Sequence, residues 1–263
     1  MKLDTYYRDH WVKIDSERLK RYEQMFQWTP TFEQLLEPAD IRKGQIVGDL
    51  GCGPGFLSMQ LLDKVGPTGH VHSFDVSADF IERTRQKAKL NGFGERVTLH
   101  HLSSDILPVG DSVFDRIIAK NVLVYVDDPL KSFREFRRVL KTGGKVHAID
   151  SDFAMVAIDP VPAAEWRDLL DAAAHAFRTP NIGRKLFGLA RTAGFSEIDV
   201  KIIAMPDTKG RLLNFAKNMA GYARAAATME DFAIERILDI ATSALEDGTY
   251  FAVNPQFVVT ATA

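Results

Sequence analysis

The chain has 263 residues, which at roughly 150 residues per domain is one large domain or one domain with an added lobe. Its 46% hydrophobic and 26% charged residues are typical of a globular protein and exclude a disordered or low-complexity chain. Thirty-three basic residues against 35 acidic ones leave a net charge of -2, so we expect no nucleic acid partner. The single cysteine, Cys52, fits a reducing cytoplasm, and the absence of a run of about 18 apolar residues predicts no membrane span.

The first 40 residues predict a helical segment. Between residues 15 and 36, apolar side chains recur at intervals of three and four, which is helical spacing. The sequence Trp28-Thr29-Pro30 interrupts the pattern, so a second short helix is expected after it.

From Gln45 onward, short apolar runs alternate with helical segments. The predicted strands lie at residues 46–50, 70–75, 97–102, 114–120 and 145–150, and the predicted helices begin near residue 55 and span 77–90 and 129–140. A turn at Gly143-Gly144 is expected before the fifth strand. This alternation requires crossover connections and predicts a doubly wound α/β fold whose sheet is mostly parallel.

The pattern loosens after residue 160. It predicts helices at 162–177 and 182–193, a strand at 198–204, a long helical stretch at 209–247 and a last strand within 250–262. The last strand would run antiparallel to its predecessor and complete a seven-stranded sheet. We therefore expect a single domain with a helical cap (1–40), a core (41–160) and a completing part (161–263), in which residues 209–247 are inserted over the carboxyl edge of the sheet.

The turn after the first strand is rich in glycine and reads Asp49-Leu50-Gly51-Cys52-Gly53-Pro54-Gly55. In a doubly wound sheet, this turn lies at the edge where ligands bind. The dinucleotide fingerprint would place a glycine at 56, where this chain has Phe56. Asp49 would also repel a phosphate at the helix terminus and suits a cationic ligand better. An ordinary tight turn remains the alternative.

Together with later motifs, this loop resembles the first motif of the class I S-adenosylmethionine-dependent methyltransferases. Asp75 ends the second strand, Asp105 follows the third, residues 114–123 resemble the fourth-strand motif, and residues 138–144 resemble the turn after it. Thr142 stands where the family usually has proline. The resemblance spans about residues 40–150 and is closest to the small-molecule branch typified by the ubiquinone and menaquinone biosynthesis methyltransferases.

The resemblance implies S-adenosylmethionine as cofactor. By that resemblance, the loop backbone packs against the methionine and ribose portions, Asp49 lies near the amino end, Asp75 accepts hydrogen bonds from the ribose hydroxyls, and Asp105 accepts one from the adenine amino group. The full predicted cofactor set is Tyr7, Asp49, Gly51, Cys52, Gly53, Asp75, Ser77, Asp105, Ile106 and Asn121. Asp75 alone would also fit a nicotinamide enzyme, and Asp105 could simply belong to a turn.

Transfer of the sulfonium methyl needs mainly alignment of the nucleophile with the methyl group, so little acid–base machinery is obligatory. Where a proton must leave the acceptor, His10 and Tyr125 are the candidate bases. The alternatives are a solvated histidine on an amino-terminal helix and a tyrosine that only packs. Clustered cysteine and histidine ligands are lacking, so we expect no metal site.

The predicted insertion carries an apolar stripe at helical spacing: Leu212, Phe215, Met219, Tyr222 and Ala223. Such stripes usually belong to a core, but here part of it would cover a partly apolar acceptor. We expect that removal of 209–247 abolishes turnover while cofactor affinity survives. The sequence thus predicts methyl transfer to an oxygen, nitrogen or carbon of a small molecule. A cofactor-binding or fold-sharing protein without methyl transfer, and then a nicotinamide oxidoreductase, are the alternatives, and the oligomeric state is left open between a monomer and a homodimer.

Overall fold

A computed structural model describes residues 3–12, 14, 16–25, 28–29 and 32–263, without the side chains of Leu3 and Met25. The strands in the described part of the chain are β1 (Ile46–Leu50), β2 (His70–Asp75), β3 (Val97–His101), β4 (Phe114–Lys120), β5 (Leu140–Ser151), β6 (Ala157–Asp159), β7 (Ser196–Ile203), β8 (Pro206–Asp207), β9 (Phe251–Val253) and β10 (Gln256–Thr262). Seven of them form one sheet in the order β3-β2-β1-β4-β5-β10-β7.

The helices connect and cover these strands. They are α1 (Leu3–Val12), α2 (Ser16–Met25), α3 (Glu33–Leu36), α4 (Phe56–Val65), α5 (Ala78–Leu90), α6 (Pro129–Val139), α7 (Ala163–Ala172), α8 (Leu186–Thr192), α9 (Leu213–Ala226) and α10 (Asp231–Glu246). None of them, within the ranges described, is both long enough and apolar enough to cross a membrane.

The strand pairing confirms the predicted fold class. β1 pairs in parallel with β2 and β4, and β4 pairs in parallel with β5. β10 lies between β5 and β7 and is antiparallel to both. The order reverses at β1, where neighbouring crossovers leave to opposite faces, and this is where such sheets form a ligand crevice.

Apolar side chains pack on both faces of the sheet. The larger cluster includes Phe74, Phe114, Phe133 and Phe136, and the smaller one includes Leu35, Leu36, Leu61 and Leu62. His147 is fully buried on the smaller side, where its ring contacts Oγ1 of Thr260 at 2.8 Å and the carbonyl oxygen of Leu35 at 2.7 Å. This histidine therefore satisfies its ring nitrogens within the core and ties α3 to the sheet.

Two predicted boundaries were wrong in an informative way. The glycines at 143–144 lie within β5, because the strand bulges there: the register shifts between the pairs Phe114–Leu140 and Arg116–Lys145, and Gly143 has a φ of 76°. The apolar run at 250–262 forms two strands instead of one. Its first part, β9, leaves the main sheet and pairs with β6 and β8 in a small antiparallel sheet that the sequence did not predict.

Three predicted helical segments also differ in extent from the helices in the structure. The stretch at 209–247 forms two helices because α9 ends at Ala226, and the next residue, Ala227, adopts a left-handed φ of 51°. The helix predicted at 162–177 ends at Ala172 and continues as a short 3-10 turn. The one predicted at 182–193 starts as a 3-10 turn before α8. These ends depend on local backbone geometry that apolar spacing does not report.

Candidate functional site

A cavity of about 220 Å³ opens at the carboxyl ends of β1, β2 and β4. Seven of the sequence-predicted site residues line it, namely Gly51, Cys52, Gly53, Asp75, Asp105, Asn121 and Tyr125. They lie at or just after the ends of four strands, β1 to β4, so the parallel topology brings them together. Tyr7, His10, Asp49, Ser77 and Ile106 are not among the residues that line it.

The glycine loop forms one wall of this cavity. Gly51 and Gly53 have φ values of 67° and 52°, a region that glycine adopts without a steric penalty. A Cβ on Gly51 would lie 2.7 Å from Cγ2 of Val122, whereas a Cβ on Gly53 would meet nothing within 4 Å. The N–H groups of Gly51 and Cys52 both donate to the carbonyl oxygen of Phe74, at 2.8 and 3.0 Å. The loop is thus fixed to β2 and leaves open space beside Gly53.

Asp75 connects the loop to the next helix. Its Oδ2 accepts a hydrogen bond from the N–H of Gly53 and its Oδ1 accepts one from the N–H of Ser77, both at 2.8 Å. Burial raises the pKa of Asp75 to about 6, although these backbone donors favour the charged form. Ser77 caps α5 through a 3.4 Å hydrogen bond that its Oγ accepts from the N–H of Phe80.

Asp49 is fully buried beneath the loop. Oδ2 accepts a 2.6 Å hydrogen bond from the hydroxyl of Ser58, which also lies 2.9 Å from the hydroxyl of Ser73. Oδ1 has no hydrogen-bond partner among the residues described. Burial raises the pKa of Asp49 to about 7. Oδ1 of Asp49 is therefore a buried hydrogen-bond acceptor beneath the glycine loop that has no partner among the described residues.

The loop after β3 forms the exposed rim. Asp105 lines the cavity with an exposed side chain, while the neighbouring Ile106 is 67% exposed and does not line it. The N–H of Leu107 donates to Oε1 of Glu135 at 2.8 Å, and Arg138 pairs with the same carboxylate. The rim is thus anchored to α6 just beyond the predicted positions.

Lys120, at the end of β4, was not predicted from the sequence. It lines the cavity, and burial lowers its pKa to about 8, although the carboxylates of Asp150 and Asp49 oppose this change. The only sequence signal was a lysine directly after the apolar residues 117–119 at the end of a strand. Its neighbour Asn121 has a left-handed φ of 54° and donates its N–H to the carbonyl oxygen of Ile149 at 2.8 Å.

Residues from the amino-terminal part of the chain also line the first cavity. Trp11, Trp28 and Phe32 contribute aromatic surface to it, and none of them was in the predicted cofactor set. Tyr7 is buried beside the cavity, and its hydroxyl donates to Oδ1 of Asp127, which does line it. The prediction of a helical segment over the site thus corresponds to α1, α2 and α3.

His10 is buried, so it is not a solvated surface histidine. Its Nδ1 donates to the carbonyl oxygen of Tyr6, and its Nε2 has no partner among the described residues. Burial lowers the pKa of His10 to about 3, and the positive charge of Arg18 adds to this effect. The ring lies against Tyr6, Trp11 and Tyr222 and lines neither cavity.

A second cavity of about 90 Å³ adjoins the first and shares Asn121 and Tyr125 with it. Its walls are mainly aromatic and apolar: Tyr22, Phe153, Phe177, Phe215, Met219 and Tyr222. Phe215, Met219 and Tyr222 belong to α9, as the apolar stripe predicted. Burial raises the pKa of Tyr125 well above its usual range, so this hydroxyl keeps its proton and is a poor base.

Asp150 lies at the floor of the second cavity, at the end of β5. Its Oδ1 accepts a hydrogen bond from the N–H of Ser151 at 3.1 Å, and its Oδ2 accepts one from the N–H of Val124 at 3.2 Å. Burial raises the pKa of Asp150 to about 7, against the effect of these donors and of Lys120. In the part of the chain that the structure covers, no three His, Cys, Asp or Glu side chains are grouped to hold a metal ion.

Residues 41–191 match the model of a family described as a methyltransferase domain, which is more than half of the chain. The chain belongs to this methyltransferase family. The resemblance predicted from the glycine loop and the later motifs is thereby confirmed.

The chain is similar to curated proteins, in one case beyond the matched domain. It is 31% identical over 242 residues to an uncharacterized 37.1 kDa protein in a transposon of Streptomyces fradiae, across 87% of this chain and 66% of that protein. It is 29% identical over 143 residues to the demethylmenaquinone methyltransferase of Anoxybacillus flavithermus, across 54% of this chain and 58% of that enzyme. The chain therefore spans less than two thirds of the length of either relative.

A solved structure shares the fold along the whole methyltransferase. The phosphoethanolamine N-methyltransferase 2 of Haemonchus contortus, solved with phosphomonomethylethanolamine and S-adenosylhomocysteine, superposes with a TM-score of 0.64 at 16% identity. The match covers 100% of this chain and 60% of that one. At this identity the likeness establishes the fold.

Proposed function

We propose that this methyltransferase transfers a methyl group from S-adenosylmethionine to a small organic molecule. The observation that carries the proposal is the first cavity, where an open glycine loop and the carboxylate of Asp75 lie together at the topological switch point. Each carboxylate oxygen of Asp75 uses one lone pair on a backbone N–H, so each retains capacity for a ribose hydroxyl.

The remaining predicted contacts fit the same cofactor. The backbone at Gly51, Cys52 and Gly53 would pack against the methionine and ribose portions beside the open space at Gly53. The unpartnered Oδ1 of Asp49 suits the cofactor's ammonium group, reached directly or through a water. Asp105 on the rim would accept from the adenine amino group. The bound cofactor supplies an activated methyl group, and these residues hold and orient it.

The second cavity is our candidate for the acceptor. It meets the first at Asn121 and Tyr125, so a nucleophile there could align with the methyl group. We propose that residues 209–247 form the lid over it within one methyltransferase domain, that Tyr125 orients the acceptor, and that the acceptor is partly apolar. Tyr125 keeps its proton, so we assign it to orientation and not to proton removal. His10 is then the proposed base, although it lines neither cavity.

Binding and turnover separate this proposal from its alternatives. Calorimetry should detect binding of S-adenosylmethionine and of S-adenosylhomocysteine, and it should detect no binding of NADH. Release of S-adenosylhomocysteine in the presence of an acceptor would distinguish methyl transfer from binding alone. Preference for NADH, or cofactor binding without turnover on any acceptor in a broad panel, would contradict the proposal.

We also propose a cytoplasmic homodimer. The buried free thiol of Cys52 suits a reducing compartment.

The proposed dimer interface is β7, which forms an edge of the sheet and exposes Val200 and Ile202, at 43% and 55%. Antiparallel pairing of two copies centred on Val200 would place Asp199 opposite the partner copy's Lys201 and cover both apolar side chains. Light scattering should give twice the chain mass, and Val200→Lys should give the monomer. A wild-type monomer at micromolar concentration would contradict this.

A further inference from the structure

Two hydrogen-bond acceptors line the second cavity, beside amide and hydroxyl groups such as those of Asn121 and Ser151 that can also donate. Asp150 presents its carboxylate, and the buried Oδ1 of Asn254 has no partner among the described residues. The hydroxyls of Tyr22 and Tyr222, 2.7 Å apart, already bond to each other. A buried acceptor without a partner is costly, so a ligand that brings donors is favoured here.

The walls around these acceptors are aromatic on several sides. The ring centroids of Phe153 and Phe177 lie 4.6 Å apart, those of Phe153 and Phe215 5.3 Å apart, and those of Phe177 and Tyr222 5.7 Å apart. These contacts are edge-to-face, so the rings form a continuous wall around a small space. Aromatic faces attract a cation, and they give an anion no comparable stabilisation.

Basic side chains are nearby but do not line this cavity. Lys120 lines the larger cavity, and the guanidinium of Arg18 lies over the rings of Trp11, Tyr22 and Tyr222. Among the described lining residues of the second cavity, none is Lys, Arg or His. A carboxylate or phosphate on the acceptor would therefore face Asp150 without a counter-charge in direct contact.

We propose that the acceptor is a small primary or secondary amine, held by Asp150 and Asn254 against the aromatic wall and methylated on its nitrogen. This inference rests on the proposed function. The ammonium first gives one proton to the carboxylate of Asp150. The nitrogen lone pair then forms the new C–N bond as the methyl C–S bond breaks, and that electron pair stays on sulfur, which becomes a neutral thioether. The product leaves as an N-methylammonium ion, and the proton on Asp150 passes to solvent.

Three probes of one size test the head group: n-propylamine, 1-propanol and propionate. Their affinities are measured by NMR titration of the enzyme saturated with S-adenosylhomocysteine, and tritium transfer from S-adenosylmethionine reports methylation. We expect the amine to bind about tenfold more tightly than either other probe, which corresponds to roughly 1.4 kcal/mol. We also expect tritium in N-methylpropylamine alone. Equal affinities, a preference for propanol or propionate, or no detectable binding of any probe would overturn the inference.

Two leucine substitutions of asparagines that line the second cavity provide the matched comparison. Asn254→Leu removes the unpartnered acceptor and should lower the affinity for n-propylamine about tenfold, on the scale of one lost hydrogen bond to a charged group. Asn218→Leu changes an amide whose Oδ1 already accepts from Nε of Arg21 at 3.2 Å, so it should preserve the preference for amine over alcohol. Equal loss of preference in both variants would overturn the inference. Failure to bind S-adenosylhomocysteine would instead contradict the proposed function.

Discussion

The hydroxyl oxygens of Tyr22 and Tyr222 lie 2.7 Å apart and are buried. Tyr22 belongs to α2 in the amino-terminal cap, and Tyr222 belongs to α9 in the proposed lid. This hydrogen bond therefore links two segments that are 200 residues apart and that both line the second cavity. Neither residue type nor spacing predicted that the two would meet.

We expect Tyr222→Phe to lower the free energy of unfolding by about 1–2 kcal/mol, because it leaves the buried hydroxyl of Tyr22 with one partner fewer. Tyr22→Phe should cost a similar amount. In a double-mutant cycle followed by urea unfolding, the second substitution should cost less than it does alone. Strict additivity of the two losses would contradict a direct interaction.

Asp75→Ala should weaken binding of S-adenosylmethionine by about 1–3 kcal/mol, because ribose hydroxyls lose a charged acceptor. The substitution also frees the N–H of Gly53, so the glycine loop should lose part of its fixed shape. Calorimetry measures the affinity, and Asp105→Ala on the exposed rim of the same cavity is the control with the smaller expected loss. An unchanged dissociation constant in Asp75→Ala would rule out the ribose assignment.

The lid prediction is better tested by point substitution than by removal of 209–247. Both helices carry core residues such as Leu213 and Ile234, so deletion would expose the core of the domain. Met219→Ala should raise KM for the acceptor and leave cofactor affinity nearly unchanged, since Met219 lines only the second cavity. Its cost in stability is about 2–5 kcal/mol.

Ile237→Ala is the control, because Ile237 is equally buried in α10 but lines neither cavity. Both variants should show lowered melting temperatures, and only Met219→Ala should change KM. A parallel change in KM for both, or a matching loss of cofactor affinity in Met219→Ala, would mean that the lid has no separate role in acceptor binding.

The pH dependence of stability should carry a contribution from Asp49. Its pKa rises from roughly 4 in an unfolded chain to about 7 in the fold, so between these values the folded state holds a proton that the unfolded state has released. This contribution is fully present below about pH 4 and is lost as the pH rises through about 7. His147, whose pKa burial lowers to about 4, contributes in the opposite direction over the lower part of the range.

Asp49→Asn isolates the contribution of Asp49 from the opposing histidine. The free energy of unfolding, measured by urea titration from pH 4.5 to 8, should fall less steeply with pH in the variant than in the wild type. Parallel profiles would indicate that Asp49 is ionised throughout and would place its pKa near the ordinary value.

The sequence predicted the main sheet because most of its strands contain short apolar runs, and because helices separate β1 from β2, β2 from β3 and β4 from β5. It missed β6, β8 and β9, which have two or three residues each and show no period of their own. Strands of this length form only because the chain around them brings them together.

The candidate site was likewise predicted from the sequence only in part. Seven predicted residues meet in one cavity, because the glycine loop is a local motif and the others lie at or after the ends of predicted strands. Trp28 and Phe32 were missed because their position depends on how the amino-terminal part docks on distant strand ends. The burial of His10 depends likewise on Tyr222, more than 200 positions away, and no local pattern reports that contact.

The position of α1, Trp28 and Phe32 at the first cavity bears on the order of events in turnover. A cofactor enclosed by Trp11, Trp28 and Phe32 can exchange only when those aromatic side chains move aside, so exchange should depend on an excursion of the amino-terminal helices. β10, paired on both edges inside the sheet, has no such freedom. The signal of a fluorophore on α1 should therefore change with each round of cofactor exchange, whereas the signal of a fluorophore beside β10 should stay constant.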